Sequence, residues 1–333
     1  LGAAGLYSRS AQGRSFRRAK LKERLQENKA LSVSDIRLMR WHDLPSALRL
    51  AGRGSSFDTQ LRLTAGAESL RYRLLANGKH TYSYILKHTS RGTGMGMLRY
   101  SAGGQHARLA YLAPDLARDA DDTLWLALLD GLVKMAGMHG ALNLIAEVGE
   151  GSESLEVFRE GCFGIYARQV IWVRQPAPAD EPEMPLRLAR PADDTAISTL
   201  YRSLVPSLIR QAEPPPTAAG TCYLLEREAS PCGLVTIKRG RQGAFIEPYL
   251  HPEARQDTQA FLNGALKLAF ARRQPVYCRL RGFMSWLEGP LAELGFEPLT
   301  SEAVMVRHTT VRVPLEALKP VREGVLPSLP LSK

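Results

Sequence analysis

The groups best equipped for metal ligation or nucleophilic catalysis are seven histidines and four cysteines, and their spacing supports neither chemistry. None of His42, His80, His88, His106, His139, His251 and His308 stands in a ligand-spaced pair with an acid. Cys162, Cys222, Cys232 and Cys278 contain no close pair, so reduced thiols are expected in place of a zinc site or a disulfide framework. Glycines at Arg91-Gly92-Thr93-Gly94-Met95-Gly96 would let a backbone approach a phosphate, but the motif lies between the strand-like segments Thr81–His88 and 97–100. A hairpin turn accounts for it there. Carboxylates remain. Glu247 stands in the alternating run 243–250, and Pro248 beside it cannot donate to a sheet ladder, which suits a bulge or splay at that point. The ordinary role of such a carboxylate is solvation or pairing with an arginine such as Arg279.

The elements that would hold these residues occur twice. Arg37, Leu38, Arg40 and Asp43 recur as Arg187, Leu188, Arg190 and Asp193, each time on an alternating segment that reaches an Asp suited to cap the next helix. Tyr111-Leu112-Ala113-Pro114 recurs as Tyr249-Leu250-His251-Pro252, followed by helical spacing over 123–137 and 258–271 and by strand-like runs at 142–147 and 276–280. Short helices closing on a glycine and an aromatic come next, at 158–163 and 291–296, and strand-rich tails finish at 165–173 and 303–313. Between the copies, four prolines and three acids at 176–185 read as a linker. The expected organisation is a basic arm at 1–35, one α/β domain at 36–175, the linker, a second α/β domain at 186–313, and a proline-containing tail at 314–333.

A length of 333 residues with 44% hydrophobic and 23% charged side chains is that of a globular chain. No run approaches the 18 or more apolar residues of a membrane helix, and the apolar start at 1–6 is too short for a signal-peptide core, so a cytoplasmic protein without a membrane partner is expected. The net charge of +11 could suggest a nucleic-acid partner, yet +5 of it lies in 1–35, where Arg14, Arg17, Arg18, Lys20, Lys22 and Arg24 interleave with Phe16, Leu21 and Leu25. That arm could contact RNA or a protein, or merely solubilise.

At these landmarks the chain resembles the GNAT superfamily of acyl-CoA N-acyltransferases over about 36–175 and 186–313. The resemblance rests on Leu186-Arg187-Leu188-Ala189-Arg190-Pro191-Ala192-Asp193, on the strand-Pro-helix centre and on the late helix ending in Leu294-Gly295-Phe296. It implies two tandem, degenerate α/β (α+β) domains, each a mixed sheet with helices on both faces. In that family two splayed central strands hold the pantetheine arm, and backbone amides of the loop opening the main helix cradle the pyrophosphate. The first copy places Asp115, Asp119, Asp121 and Asp122 in that loop with no glycine, which predicts that it does not hold CoA in the usual way. In the second copy Arg255 falls where the family's basic residue belongs, and Gln256 and Thr258 replace glycines. Contacts to acetyl-CoA or another acyl-CoA are accordingly expected at Leu250, Arg255, Gln256, Thr258 and Gln259, with no metal.

Some family members carry a catalytic Glu on the central strand, and Glu247 is the candidate base, whereas its counterpart in the first copy is Leu109. The tyrosine that often reprotonates the thiolate is replaced by Leu291, and by Phe158 in the first copy, so Tyr249 or a water would have to supply that proton. The expected activity is transfer of an acyl group, acetyl first, from acyl-CoA to an amine on an unknown acceptor in the second domain. A non-catalytic tandem module that binds a protein or RNA, and a transferase dependent on aminoacyl-tRNA, stand as alternatives.

Overall fold

The computed structural model describes residues 36–309 except 67–77, 79, 89–91, 102, 117–121, 177–185, 218–220, 229 and 271–273. The basic arm, nearly all of the linker, Arg91 and the C-terminal tail lie outside the described residues. The first half runs β1 (Ile36–Leu38), α1 (Leu44–Leu50), β2 (Ser55–Ser56), α2 (Thr59–Ala65), β3 (Thr81–His88), β4 (Gly92–Tyr100), β5 (His106–Ala113), α3 (Asp122–Met138), β6 (Asn143–Gly149), α4 (Ser154–Glu160) and β7 (Gly164–Arg174). The second runs β8 (Arg187–Leu188), α5 (Asp194–Leu204), α6 (Ser207–Ala212), β9 (Cys222–Arg227), β10 (Ser230–Arg239), β11 (Ala244–Leu250), α7 (Thr258–Ala269), β12 (Val276–Arg281), α8 (Glu288–Glu293) and β13 (Glu297–His308).

The repeated motifs form the same local structures. Arg37 donates both guanidinium nitrogens to Asp43 at 2.6 and 2.7 Å, and Arg187 does so to Asp193 at 2.7 and 3.1 Å. Each Asp also accepts from the backbone amide three residues back, Arg40 or Arg190, at 3.0 and 2.7 Å. The carboxylates therefore close a 3-10 turn onto the preceding strand, and neither caps the amides of the following helix as the sequence suggested. Both short late helices end on the same bond, Phe163 N to Phe158 O and Phe296 N to Leu291 O, each 3.0 Å. The left-handed residue that permits this is Gly295 (φ 77°) in the second half but Cys162 (φ 61°) in the first, not the adjacent Gly161. The glycine motif also departs from expectation. Gly92 to Gly96 belong to β4 itself, and a Cβ on Gly96 would lie 2.5 Å from Leu132 of α3. Gly94 and Gly96 let a helix approach a strand, whereas Gly92 (φ 89°) opens the strand opposite His88 with free space where a Cβ would lie.

All the strands join one sheet in the order β1-β3-β4-β5-β6-β13-β7-β12-β11-β10-β9-β8, with β2 on β5. The pairs β5·β6 and β11·β12 are parallel and every other described pair is antiparallel. Helices cover both faces: α3 packs on Leu98, Leu109 and Leu112, while Met95, Met97 and Tyr111 meet α1 and α2 on the other side. In the second half α7 packs on Val235, Ile237 and Ile246, and α5 and α6 on Leu224, Leu234 and Tyr249.

The two halves interlock at the sheet centre. The last strand of the second half, β13, lies between β6 and β7, and the last strand of the first half, β7, lies between β13 and β12. Gln169 and Glu302, which occupy equivalent places in the repeat, face each other across this pair and hydrogen-bond at 2.8 Å. Each copy thus completes the other's sheet about a local twofold relation.

Candidate functional site

The two parallel pairs open after three residues. β5 matches β6 only through His106–Arg108 against Asn143–Ile145, and β11 matches β12 only through Ala244–Ile246 against Val276–Cys278. In the first half the chain itself fills the gap. Ser55 and Ser56 pair with β5, Phe57 N donates to Ala110 O at 3.1 Å, and Glu147 N donates to Phe57 O at 2.9 Å. The Phe57 ring is buried with its centroid 4.9 Å from Phe158 and 5.7 Å from Trp125. In the second half the positions corresponding to Ala110 and Glu147 are Pro248 and Leu280, and among the described residues no loop backbone hydrogen-bonds to either. The opening that an extended pantetheine chain would need is bridged in the first half and not bridged this way in the second.

On the α5 and α6 face of the sheet the second opening meets a cleft of about 700 Å³ between the halves, lined by Tyr201, Thr236, Glu247 and Tyr249 on one side and Asp58, Arg99 and Arg108 on the other. Tyr249 donates its hydroxyl to Glu247 Oε1 at 2.9 Å. Burial, and then the Glu247 charge, raise the Tyr249 phenol well above its ordinary pKa, so it keeps its proton at neutral pH. Arg279 Nη1 is 3.7 Å from Glu247 Oε2, and Arg281 Nε is 3.8 Å from Glu247 Oε1. Strand β12 places these arginines two residues apart, hence on one side of the sheet. Arg279 Nε and Arg281 Nη1 are buried without a hydrogen-bond partner among the described residues.

Beneath Glu247 lies a buried charge network that joins the halves. Glu147 accepts from Arg108 (3.0 Å), Arg279 (2.7 Å) and the Thr59 amide (2.9 Å). Glu213 accepts from Arg108 (2.8 Å), Tyr166 (2.5 Å) and Arg281 (2.7 and 2.9 Å). Burial alone would raise the Glu213 carboxyl, but Arg281, Arg108 and the Tyr166 hydroxyl outweigh it and hold the pKa at about 2. Glu302 accepts from Thr59 (2.6 Å) and Gln169 (2.8 Å); its burial and the nearby Glu147 raise its pKa.

The sequence-derived site residues fall in two groups. Glu247 and Tyr249 meet in the cleft, with the anticipated Arg279 beside them. Leu250, one residue after Tyr249 at the end of β11, is buried, and a 3-10 turn over Pro252–Asp257 leads into α7. There the Thr258 hydroxyl donates to Arg255 O at 2.6 Å, Arg255 lies 5.1 Å over the Trp286 ring, Gln259 hydrogen-bonds Glu293, and Gln256 is exposed. Arg108, Glu147, Glu213 and Arg281 were not legible as site residues, because each acquires its role only where the halves interlock. No described helix is long and apolar enough to cross a membrane.

No family model and no curated protein matches the sequence. Solved structures do. A GCN5-related N-acetyltransferase from Sphaerobacter thermophilus aligns over 84% of this chain and 97% of its own, with a TM-score of 0.52 at 13% identity. A putative acetyltransferase from Pyrococcus horikoshii aligns over 83% and 89%, with a TM-score of 0.50 at 13% identity. A tandem GNAT protein from the clavulanic acid biosynthesis pathway aligns over 74% and 88%, with a TM-score of 0.46 at 15% identity. With its two-fold series of splayed parallel pairs, helices on both faces and the likeness to the Sphaerobacter thermophilus and Pyrococcus horikoshii structures, the chain has the fold of the GNAT superfamily.

Proposed function

We propose that the second half is an N-acyltransferase that moves an acyl group, acetyl first, from acyl-CoA to an amine, and that the first half serves as a structural partner walling the cleft. The observation that carries this reading is the pair Glu247 and Tyr249, facing a cleft beside the opening that no loop backbone bridges among the described residues. An acyl-CoA would supply the activated acyl carbon. Glu247 would take a proton from the acceptor ammonium so that the free amine attacks the acyl carbon, and the protonated Tyr249 would both orient that carboxylate and provide a proton for the departing sulfur. Arg279 lines the cleft beside Glu247, and its guanidinium charge is of the kind that stabilises a developing oxyanion. Leu250, Arg255, Gln256, Thr258 and Gln259 would meet the remainder of the CoA along the turn into α7. Bridging of the first opening by Phe57 is the physical reason to assign acyl-CoA to the second half alone.

The close approach of Glu247 to two arginines favours a second reading, in which the carboxylate is an ion-pair partner in a non-catalytic module. Measuring CoA release from acetyl-CoA against a panel of amines separates the two. Glu247→Gln is expected to lower kcat by about 10²–10⁴-fold with an unchanged thermal midpoint. No CoA release by the wild type with any amine, or a Glu247→Gln variant that loses stability but not turnover, would overturn the enzymatic reading.

A further inference from the structure

The cleft beside Glu247 continues into a smaller recess of about 330 Å³, and the two share Gln60, Arg99, Thr221 and Lys238. The recess lies where the β10–β11 turn meets α2, and its lining includes Arg99, Lys238, Arg239 and Arg241 and, among the described residues, no carboxylate. Arg99 is neutralised by Asp58 at 2.5 Å. Among the described residues no carboxylate lies within ion-pair distance of Lys238, Arg239 or Arg241; Lys238 donates to the Gln60 side chain at 3.1 Å and Arg239 to the Leu268 carbonyl. This contrasts with the network a few ångströms away, where every buried arginine has an acid. Burial, then Arg99 and Arg108, push the Lys238 ammonium below its ordinary pKa against the smaller opposing pull of Glu247 and Asp58.

The turn that carries these cations is built rigidly. Gly240 N donates to Gly243 O at 2.9 Å and Gln242 N to Thr64 O at 3.1 Å. Gly240 packs so closely on α2 that a Cβ there would collide with the Thr64 carbonyl. Lys238 and Glu247 also share a face of the sheet: Thr236 pairs with Glu247 and Lys238 with Phe245, so Lys238 is the diagonal neighbour of Glu247, at a separation of about 7 Å.

We propose that the acceptor is a small amine bearing an anionic group, a phosphate or a carboxylate, a few bonds from its nitrogen, and that Lys238 and Arg241 bind that group while the nitrogen reaches Glu247; Arg239, next to Lys238 on β10, points to the α7 face and is held there by the Leu268 carbonyl. This names the acceptor class for the acyltransferase reading above and rests on it. Two cations without a paired carboxylate among the described residues would then supply charge-assisted hydrogen bonds to the substrate and disfavour amines that lack an anionic group, which leave them unpaired.

The test uses the full chain with aminoethyl phosphate, β-alanine and propylamine, which carries no anionic group, each titrated calorimetrically and each assayed for CoA release from acetyl-CoA. At least one anionic amine is expected to bind about tenfold or more tighter than propylamine and to show the higher kcat/KM. Lys238→Glu, and independently Arg241→Glu, should each reduce that preference about tenfold in proteins whose thermal midpoints match the wild type. The stronger of the phosphate and carboxylate arms identifies the handle. Equal binding of all three amines, no binding of either anionic amine, or a preference that survives both variants would overturn the inference. Anion-dependent binding lost in both variants but without CoA release would uphold the handle and sink the acyltransferase reading. Equal turnover of all three amines, insensitive to the variants, would do the reverse.

Discussion

At the residue scale the molecule is organised by carboxylates placed between arginines, and the same pairing serves different ends. Glu213 has its full set of donors and a pKa of about 2, so it is ionised in the folded protein well below the point at which it would protonate in the unfolded chain. Its contribution to stability is complete above about pH 4.5 and is lost as the pH falls towards about 2, an effect of about 3 kcal/mol. Glu213→Gln should leave Arg108 and Arg281 under-compensated in the interior and cost about 3–5 kcal/mol at pH 7 in urea denaturation. Glu302 has the opposite sign. Its raised pKa means that the folded state resists its ionisation, so its contribution declines as the pH rises through and above about 4.5. Glu302→Gln should therefore change stability at pH 8 by less than about 1 kcal/mol, or raise it. Glu247 was readable as a candidate base because it is an acid on an otherwise apolar strand next to a proline. The network beneath it was not readable, since Arg108, Glu147, Glu213 and Arg281 come from four separate segments whose side chains look individually like solvated charges.

At the element scale the repeat was legible because it resides in local signals: turn-forming Arg–Asp pairs, Tyr-Leu-x-Pro strand ends and helices with apolar spacing. Those signals placed α3 at Asp122–Met138, where the spacing suggested 123–137, and β7 at Gly164–Arg174 against an expected 165–173. They failed where a tertiary contact decides the meaning of a residue. Three glycines in a row of six look like a turn, yet Gly94 and Gly96 are strand residues whose missing side chains admit Leu128 and Leu132 of α3. Gly96→Val should force that helix away and destabilise the protein by about 1–3 kcal/mol, measurable as a shift in the urea midpoint with an unchanged slope. The short segment 55–58 carried no signal at all, because a strand of two residues followed by one buried aromatic has no period to detect. Its place between β5 and β6 nevertheless distinguishes the first half from the second.

At the scale of the whole molecule, length and composition anticipated two bodies, and the interlocked β7 and β13 make them mutually dependent. Separated halves would expose the long edges of β6, β7 and β12, which invite aggregation. Residues 36–176 alone should be associated or insoluble, and co-expression with 186–309 should recover a one-to-one complex by light scattering; a well-behaved monomeric half would show that the exchange is dispensable. The net charge, which pointed toward nucleic acid, bears on the arm more than on this body, whose interior arginines are matched by acids. The asymmetry between the openings remains the feature on which the proposed function stands. Titrating the full chain with acetyl-CoA by calorimetry tests it most directly. The account predicts one molecule bound per chain; two bound molecules would show that Phe57 does not close the first opening, and none at millimolar ligand with the protein folded would contradict acyl-CoA chemistry in the second.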